Sequence, residues 1–177
     1  MADVADVVAP AIDQSGNTVI WWITGTVASL AAPGKVAVFD AATTWRITHD
    51  FLPDGFPLDS TQEKSADDRL ALVNTLESLG RVQVTFGDGI TYVDTQATAG
   101  RATVVLAPSG GSSSISGYFA VRPNVPNATL ATSGQKGTIY PVTLGPQRRG
   151  PITGTGKFTW KQQVVLTAPP VEFTMGA

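Results

Sequence analysis

The sequence predicts a mostly β chain, and three observations carry that reading. Its 18 Gly and 12 Pro are scattered rather than clustered, and the texture between them is rich in Thr, Val and Ala, the composition of short strands joined by turns. Near the C-terminus Phe158, Trp160, Gln162, Val164 and Leu166 alternate with Thr159, Lys161, Gln163, Val165 and Thr167. That period of two belongs to a strand with one face on a core and the other toward water or a polar partner. The third is size: 177 residues, 42% of them apolar and 15% charged, against roughly 25% charged in an ordinary domain. A chain of this length fits one domain and buries roughly 70% of its unfolded surface without needing disulfides, and it has no Cys.

In chain order, the first 13 residues have no basic n-region and carry Asp3 and Asp6 within a small apolar stretch, the wrong chemistry for a secretory signal, so folding in a cytoplasm is expected. Residues 18–24, Thr-Val-Ile-Trp-Trp-Ile-Thr, are apolar on both faces. This fits either a central strand covered twice or a strand with one face kept for another subunit. Residues 43–49, with Trp45 and Ile47, read as a short strand, and residues 50–60 as an acidic loop with exposed aromatics. Between 67 and 80, Leu70, Val73 and Leu76 follow helical spacing with Gly80 as a stop, whereas Leu70 and Leu72, with the later Val82, Val84 and Phe86, follow spacing two. Residues 82–93 look like strand interrupted by Gly87-Asp88-Gly89, as a hairpin tip or as a bulge in one long strand. Residues 98–106 suit a short helix, 109–114 a Ser/Gly loop and 115–122 a strand.

Tyr140, Val142 and Leu144 alternate with Ile139, Pro141 and Thr143. The proline cannot donate a ladder bond, which predicts an edge strand or a bulge. This strand and residues 158–167 form the expected hairpin, joined by the Gly- and Pro-rich tip at 145–156. No repeat of 20–50 residues argues for a solenoid or propeller, and no apolar run is long enough to cross a membrane.

Chemistry is sparse. His49 is the one histidine and there is no cysteine, too few ligands for a usual zinc site of about three or four N or S donors. No Gly-x-Ser-x-Gly elbow exists. The carboxylate pairs Asp54 with Asp59, Asp67 with Asp68, and Asp88 with Asp94 are what chance proximity gives among 14 acids; a glycosidase dyad needs two held about 5–10 Å apart. The stretch from Gly150 to Phe158 misses the phosphate-loop spacing and ends in Phe where Ser or Thr is required. Asn127-Ala128-Thr129 matches a glycosylation sequon by chance. Twelve basic against fourteen acidic residues give a net charge of −2 and a pI of about 5.2, without the basic footprint of a phosphate-backbone binder. No catalytic residue, metal or cofactor is expected, and a weakly charged β domain with apolar residues in its loops works by packing against copies of itself or another protein.

From residue 68 to 168 the chain resembles the major tail proteins, or tail tube proteins, of long-tailed phages of actinobacteria. The resemblance is carried by the order and spacing of Asp68-Arg69-Leu70, Leu76-Glu77-Ser78-Leu79-Gly80-Arg81, Ile90-Thr91-Tyr92-Val93-Asp94-Thr95-Gln96, Gly117-Tyr118-Phe119-Ala120-Val121-Arg122 and Tyr140-Pro141-Val142-Thr143-Leu144-Gly145-Pro146-Gln147. It implies a β-sandwich or barrel-like tail tube fold with one short flanking helix and a long loop. Six copies would close into a ring, and rings would stack into the tube through which DNA passes unbound, with terminator, tape measure and tail tip proteins as further partners. In that family residues 68–80 are extended or irregular, so the resemblance argues against a helix there, and Gly87-Asp88-Gly89 departs from its pattern. The expected division is an N-terminal arm at 1–15, a β domain at 16–170 and a C-terminal tail at 171–177. Phe51, Leu52, Phe56, Arg148, Arg149, Trp21 and Trp22 are the expected contacts between subunits or rings. A capsid decoration protein or other virion β domain, a carbohydrate-binding module, and an acid-dependent hydrolase using Asp54, Asp59 or Asp88 are the alternatives.

Overall fold

The computed structural model describes residues 13–67, 76–96, 98–110, 112–152 and 156–177. At its centre is β1 (Val19–Ile23), flanked by β2 (Thr44–Arg46) on one side and β6 (Ile115–Arg122) on the other. β6 pairs onward with β7 (Lys136–Leu144), whose outer side carries β10 (Val164–Leu166) and β11 (Val171–Thr174). All of these pairings are antiparallel; among the described residues the sheet is open at β2 and at β10, while residues 31–34 run along the outer side of β11's end.

Both faces of β1 are covered, which decides between the two readings of its all-apolar sequence. Ile20 and Trp22 point into one core with Phe119, Tyr140, Val142 and Leu144; Val19, Trp21 and Ile23 point into a second with Val38, Phe39, Ile139, Phe173 and Met175. The first core is closed by Ile90 and Tyr92 of β5 (Ile90–Val93) and by Ala102 and Leu106 around α1 (Ala102–Val105). The second is closed by a π-helical turn at Lys35–Phe39 and by the chain's last strand. Residues 171–177, set apart as a tail by sequence, therefore belong to the sheet: Val171–Thr174 pairs with β7, and Phe173 and Met175 are core residues.

Pro141 does not mark an edge. β7 is paired on both sides, and on its outer side β10 meets residues 142–144 while β11 meets 136–139. The Pro141 carbonyl accepts from Thr167 N–H at 2.9 Å. Because N–H and C=O of one strand residue point to the same side, the missing donor falls in the gap between β10 and β11, where no ladder bond is lost.

The helical spacing over 67–80 is not realised at its ends. β3 (Asp59–Asp67) and β4 (Leu76–Thr85) form a two-stranded antiparallel arm, and residues 68–75 lie outside the described set. Gly80 and Arg81 together oppose Glu63, a bulge that sets Leu79 opposite Lys64, as Val82 is opposite Gln62 and Val84 opposite Ser60. Leu79, Val82 and Val84 thereby share one face despite their uneven spacing.

Gly87-Asp88-Gly89 is neither a hairpin tip nor a bulge within one strand. It is a corner between sheets: β4 pairs with β3, whereas β5 pairs with β9 (Thr159–Gln162), which in turn pairs with β8 (Arg148–Arg149). Gly89 makes the corner with φ of 100°, and a Cβ there would sit 2.1 Å from the Gln162 carbonyl oxygen. Gly89→Ala is expected to cost about 2–3 kcal/mol in denaturant unfolding, from strain plus the clash. Gly110→Ala, at φ of 64° with open space around it, is expected to cost only about 1 kcal/mol.

The strand predicted at 158–167 switches sheets at Gln163: β9 joins β5 and β10 joins β7. The hairpin partner of β7 is thus only its second half, and the intervening loop carries β8. The helix expected over 98–106 is the single turn Ala102–Val105, started from a distance: Asp50 Oδ2 accepts from Ala102 N–H at 2.7 Å, with Arg101 3.4 Å from Asp50 Oδ1. A carboxylate at a helix start satisfies an orphan donor and complements the dipole.

Candidate functional site

Most aromatics named as contact candidates are turned inward. Trp22 is 0% exposed with its ring 4.9 Å from Phe119, and Trp21 stacks edge-on to Phe39 at 5.0 Å. Neither presents a surface to a neighbour. Residues 50–60 are not an exposed aromatic loop: Asp50 is buried, Phe51 and Phe56 are half-buried, and Phe56 sits edge-on to Phe86 and Phe119 at 5.2 and 5.3 Å. Phe51 bridges to Tyr92 of β5 and packs on Phe56. The loop is a plug whose alternation is hidden by its Gly and Pro residues, which let the chain dip into the core outside any regular element. Leu52, half-buried, borders a groove of about 350 Å³ with Pro53, Asp54, Gly55 and Thr91.

The buried polar groups hold the elements together. Gln162 donates through Nε2 to the carbonyls of Leu106 (3.0 Å) and Gly145 (2.8 Å), and its Oε1 accepts from Tyr92 O–H at 2.7 Å. Gln147 Nε2 donates to the Tyr92 oxygen and to Thr103 O. Burial pushes the Tyr92 phenol well above its ordinary range, so it remains a donor in this network at any physiological pH. Arg122, 0% exposed, gathers the loop that follows its strand: Nη1 donates to Leu130 O and Gln135 Oε1, Nη2 to Pro126 O and Thr129 O, and the guanidinium lies 5.3 Å from the Trp21 ring centre. Burial lowers its pKa, and nearby Arg46 adds to that. Each of these polar clusters is occupied in tying loops to strands.

His49 is exposed, with Nε2 3.3 Å from the Asn127 amide, and Asn127 in turn accepts from Arg46 at 2.7 Å. Among the described residues no three His, Asp or Glu side chains gather as a metal site.

What the molecule offers outward is edges, an arm and a hairpin. The arm's Leu79 and Val82 are 72% and 56% exposed, and its base borders a groove of about 420 Å³ whose lining includes Val82, Val84, Tyr140 and Pro170. On the β8–β9 hairpin, Arg149 is engaged within the chain, 3.3 Å from Asp94 and 4.7 Å above the Trp160 ring. Arg148 is exposed and directly opposite Lys161. Ile152 and Phe158, 79% and 63% exposed, stand beside them. Leu79, Val82 and Ile152 are exposed aliphatics outside the contact set expected from sequence, which favours aromatics and arginines; Leu79 beside Gly80 and Val82 beside Arg81 carry the available signal, while Val165 is exposed on the outward face that alternation gives it.

A family model described as phage tail tube protein matches residues 7–176 of the chain. No curated protein matches it.

Proposed function

The chain belongs to the phage tail tube protein family, a structural and not an enzymatic family, and from that premise we propose that six copies join edge to edge into a ring and that rings stack into the conduit through which the phage genome leaves. The single observation carrying this reading is the extent of the family match, nearly the whole chain.

The open sheet supports it. β2 at one end and β10 at the other are short strands with no strand on their outer sides among the described residues, the kind of edge that recruits another strand, whereas the end of β11 is met by residues 31–34, with Thr174 N–H donating to Ala31 O and Gly176 N–H to Pro33 O. Joining one edge to the opposite edge of the next copy is a heterologous contact, which closes into a ring when the rotation allows. Both faces of the sheet's centre are already covered, which leaves edges and projections as the means of contact. The β3–β4 arm supports it too, because an isolated two-stranded ribbon is marginal in water and gains from a second surface. On this reading Phe51, Leu52 and Phe56 border contact surfaces through their exposed rims, Arg148 and Arg149 lie in one, and residues 1–15 are an arm. Trp21 and Trp22 act only as core.

DNA passes through the lumen without specific binding; a chain with a pI of about 5.2 avoids the counterion release that makes basic surfaces grip phosphates. The tube works in the virion tail after assembly in the host cytoplasm, alongside terminator, tape measure and tail tip proteins, and the sequence resemblance points to a phage of actinobacteria.

Sedimentation velocity at rising protein concentration tests ring closure. The expected result is a species of six times the 18.5 kDa protomer mass, or multiples of it; monomer at every concentration, even with a tail terminator added, contradicts it.

A further inference from the structure

Charge is unevenly divided along this chain. Residues 145–162 carry Arg148, Arg149, Lys157 and Lys161 and no acid, whereas residues 54–85 carry six acids, among them Asp59 and Glu63, against three cations. The fold places these stretches on different projections, the β8–β9 hairpin and the β3–β4 arm.

The register sharpens the contrast. Tyr92, Trp160 and Gln162 turn toward the first core, so Arg148 and Lys161, directly opposed in the ladder, share the outward face. Like charges facing each other across an antiparallel pair are destabilising. Arg149 is matched by Asp94, but Arg148, Lys157 and Lys161 have no ion pair among the described residues. On the arm, Leu79, Val82 and Val84 take one face, while Asp59, Thr61 and Glu63 fall on the other, where Asp59 and Glu63 are exposed and Arg81 of the bulge stands opposite Glu63.

We propose that the acidic face of the β3–β4 arm, through Asp59 and Glu63, docks on the basic outward face of the β8–β9 hairpin, through Arg148 and Lys161, of the next copy of the chain. A second copy is the occupant because it brings the complementary charge in the complementary shape: an exposed ribbon against an exposed sheet face. The two patches differ, so the contact is head to tail and leaves one free patch at each end, as ring closure or propagation requires. Neighbouring carboxylates relieve the Arg148–Lys161 repulsion only in the assembly, coupling hairpin stability to association. Complementary charge of this kind acts chiefly on the rate of encounter and on register, and is screened by salt.

This inference rests on the self-assembly proposed above. Its test is the rate of assembly of the full chain, followed by light scattering at low and high salt. Wild type is expected to assemble faster at low salt. Arg148→Glu with Lys161→Glu is expected to slow assembly by about tenfold or more, and so is Asp59→Lys with Glu63→Lys. Combining all four substitutions, or mixing the two doubly substituted proteins, is expected to recover most of the rate. Thermal melting followed by circular dichroism shows whether the reversed pair still folds; if it melts early, Arg148→Gln with Lys161→Gln replaces it, with a smaller slowing expected. Charge-reversed protein that folds and assembles at the wild-type rate, or a fourfold swap that recovers nothing while each pair alone is slow, overturns the docking while leaving ring formation standing. Wild type that never assembles overturns the assembly reading, and the docking with it.

Discussion

Trp22→Ala is expected to destabilise the isolated monomer by about 3–5 kcal/mol, lowering its melting temperature by about 10 °C for a domain of this size. Trp22 is the largest fully buried side chain, on a strand held on both sides by Trp45 of β2 and Phe119 of β6. Gly117 lies close beneath the indole, 2.7 Å from where its own Cβ would be to Trp22 Cη2. With β1 paired on both sides and covered on both faces, the surrounding residues cannot collapse into the space, so both the transfer and the cavity penalties apply. The measurement is thermal or denaturant unfolding at a concentration too low for assembly. A variant with wild-type stability that merely fails to assemble would return Trp22 to an interface and contradict its place in the core.

Arg122→Met comes next, with an expected loss of about 3 kcal/mol or more. The substitution keeps much of the stem's bulk but removes every donor from the carbonyls of Pro126, Thr129 and Leu130 and from Gln135 Oε1. Buried acceptors left without partners cost about 1–3 kcal/mol each unless water reaches them. The stacking of the guanidinium on Trp21, 5.3 Å away, is lost with them. Arg122→Lys is expected to recover little, because one ammonium cannot reach four acceptors arranged for a fork. Hydrogen exchange localises the effect: amides over 123–135 lose protection first, while those of β1 and β6 follow global unfolding.

The parts of this fold that could be read from sequence are those set by alternation or by apolar, β-branched and aromatic composition. The inward set Trp160, Gln162, Val164 and Leu166 follows from a period of two, and composition points to the strands the structure has at Val19–Ile23 and Ile115–Arg122. Phe158, put on that inward face, is instead exposed, because β9 begins one residue later and the hairpin tip turns outward. Sheet membership was not legible, because alternation is the same whichever partner a strand takes. Hence the switch at Gln163, the corner at Gly87-Asp88-Gly89 and the change of partner opposite Pro141 appear only when pairing is known.

Leu70 and Val73, which carry the helical spacing of 67–80, lie outside the described residues, and the two ends of that stretch are strand. Just beyond, a bulge at Gly80 and Arg81 breaks the period of two over Leu79, Val82 and Val84. Arg148 is exposed, as a charge in a Gly/Pro loop is expected to be, whereas Arg149 is engaged within the chain by Asp94 and Trp160. Trp21 and Trp22 were misassigned because an all-apolar strand has the same sequence whether its second cover is the same chain or another. Here the cover is residues 27–39 and the C-terminal strand, too distant in sequence for local pattern to show.

The central claim, that this chain acts by tiling with copies of itself through open sheet edges, meets its most direct test in electron microscopy of the purified full-length protein at high concentration. Hollow rings or stacked tubes of uniform diameter, with one continuous sheet running across subunit boundaries from β2 to β10, are the predicted result. Separate monomers, or tubes whose subunits meet with those edges facing solvent, would contradict it.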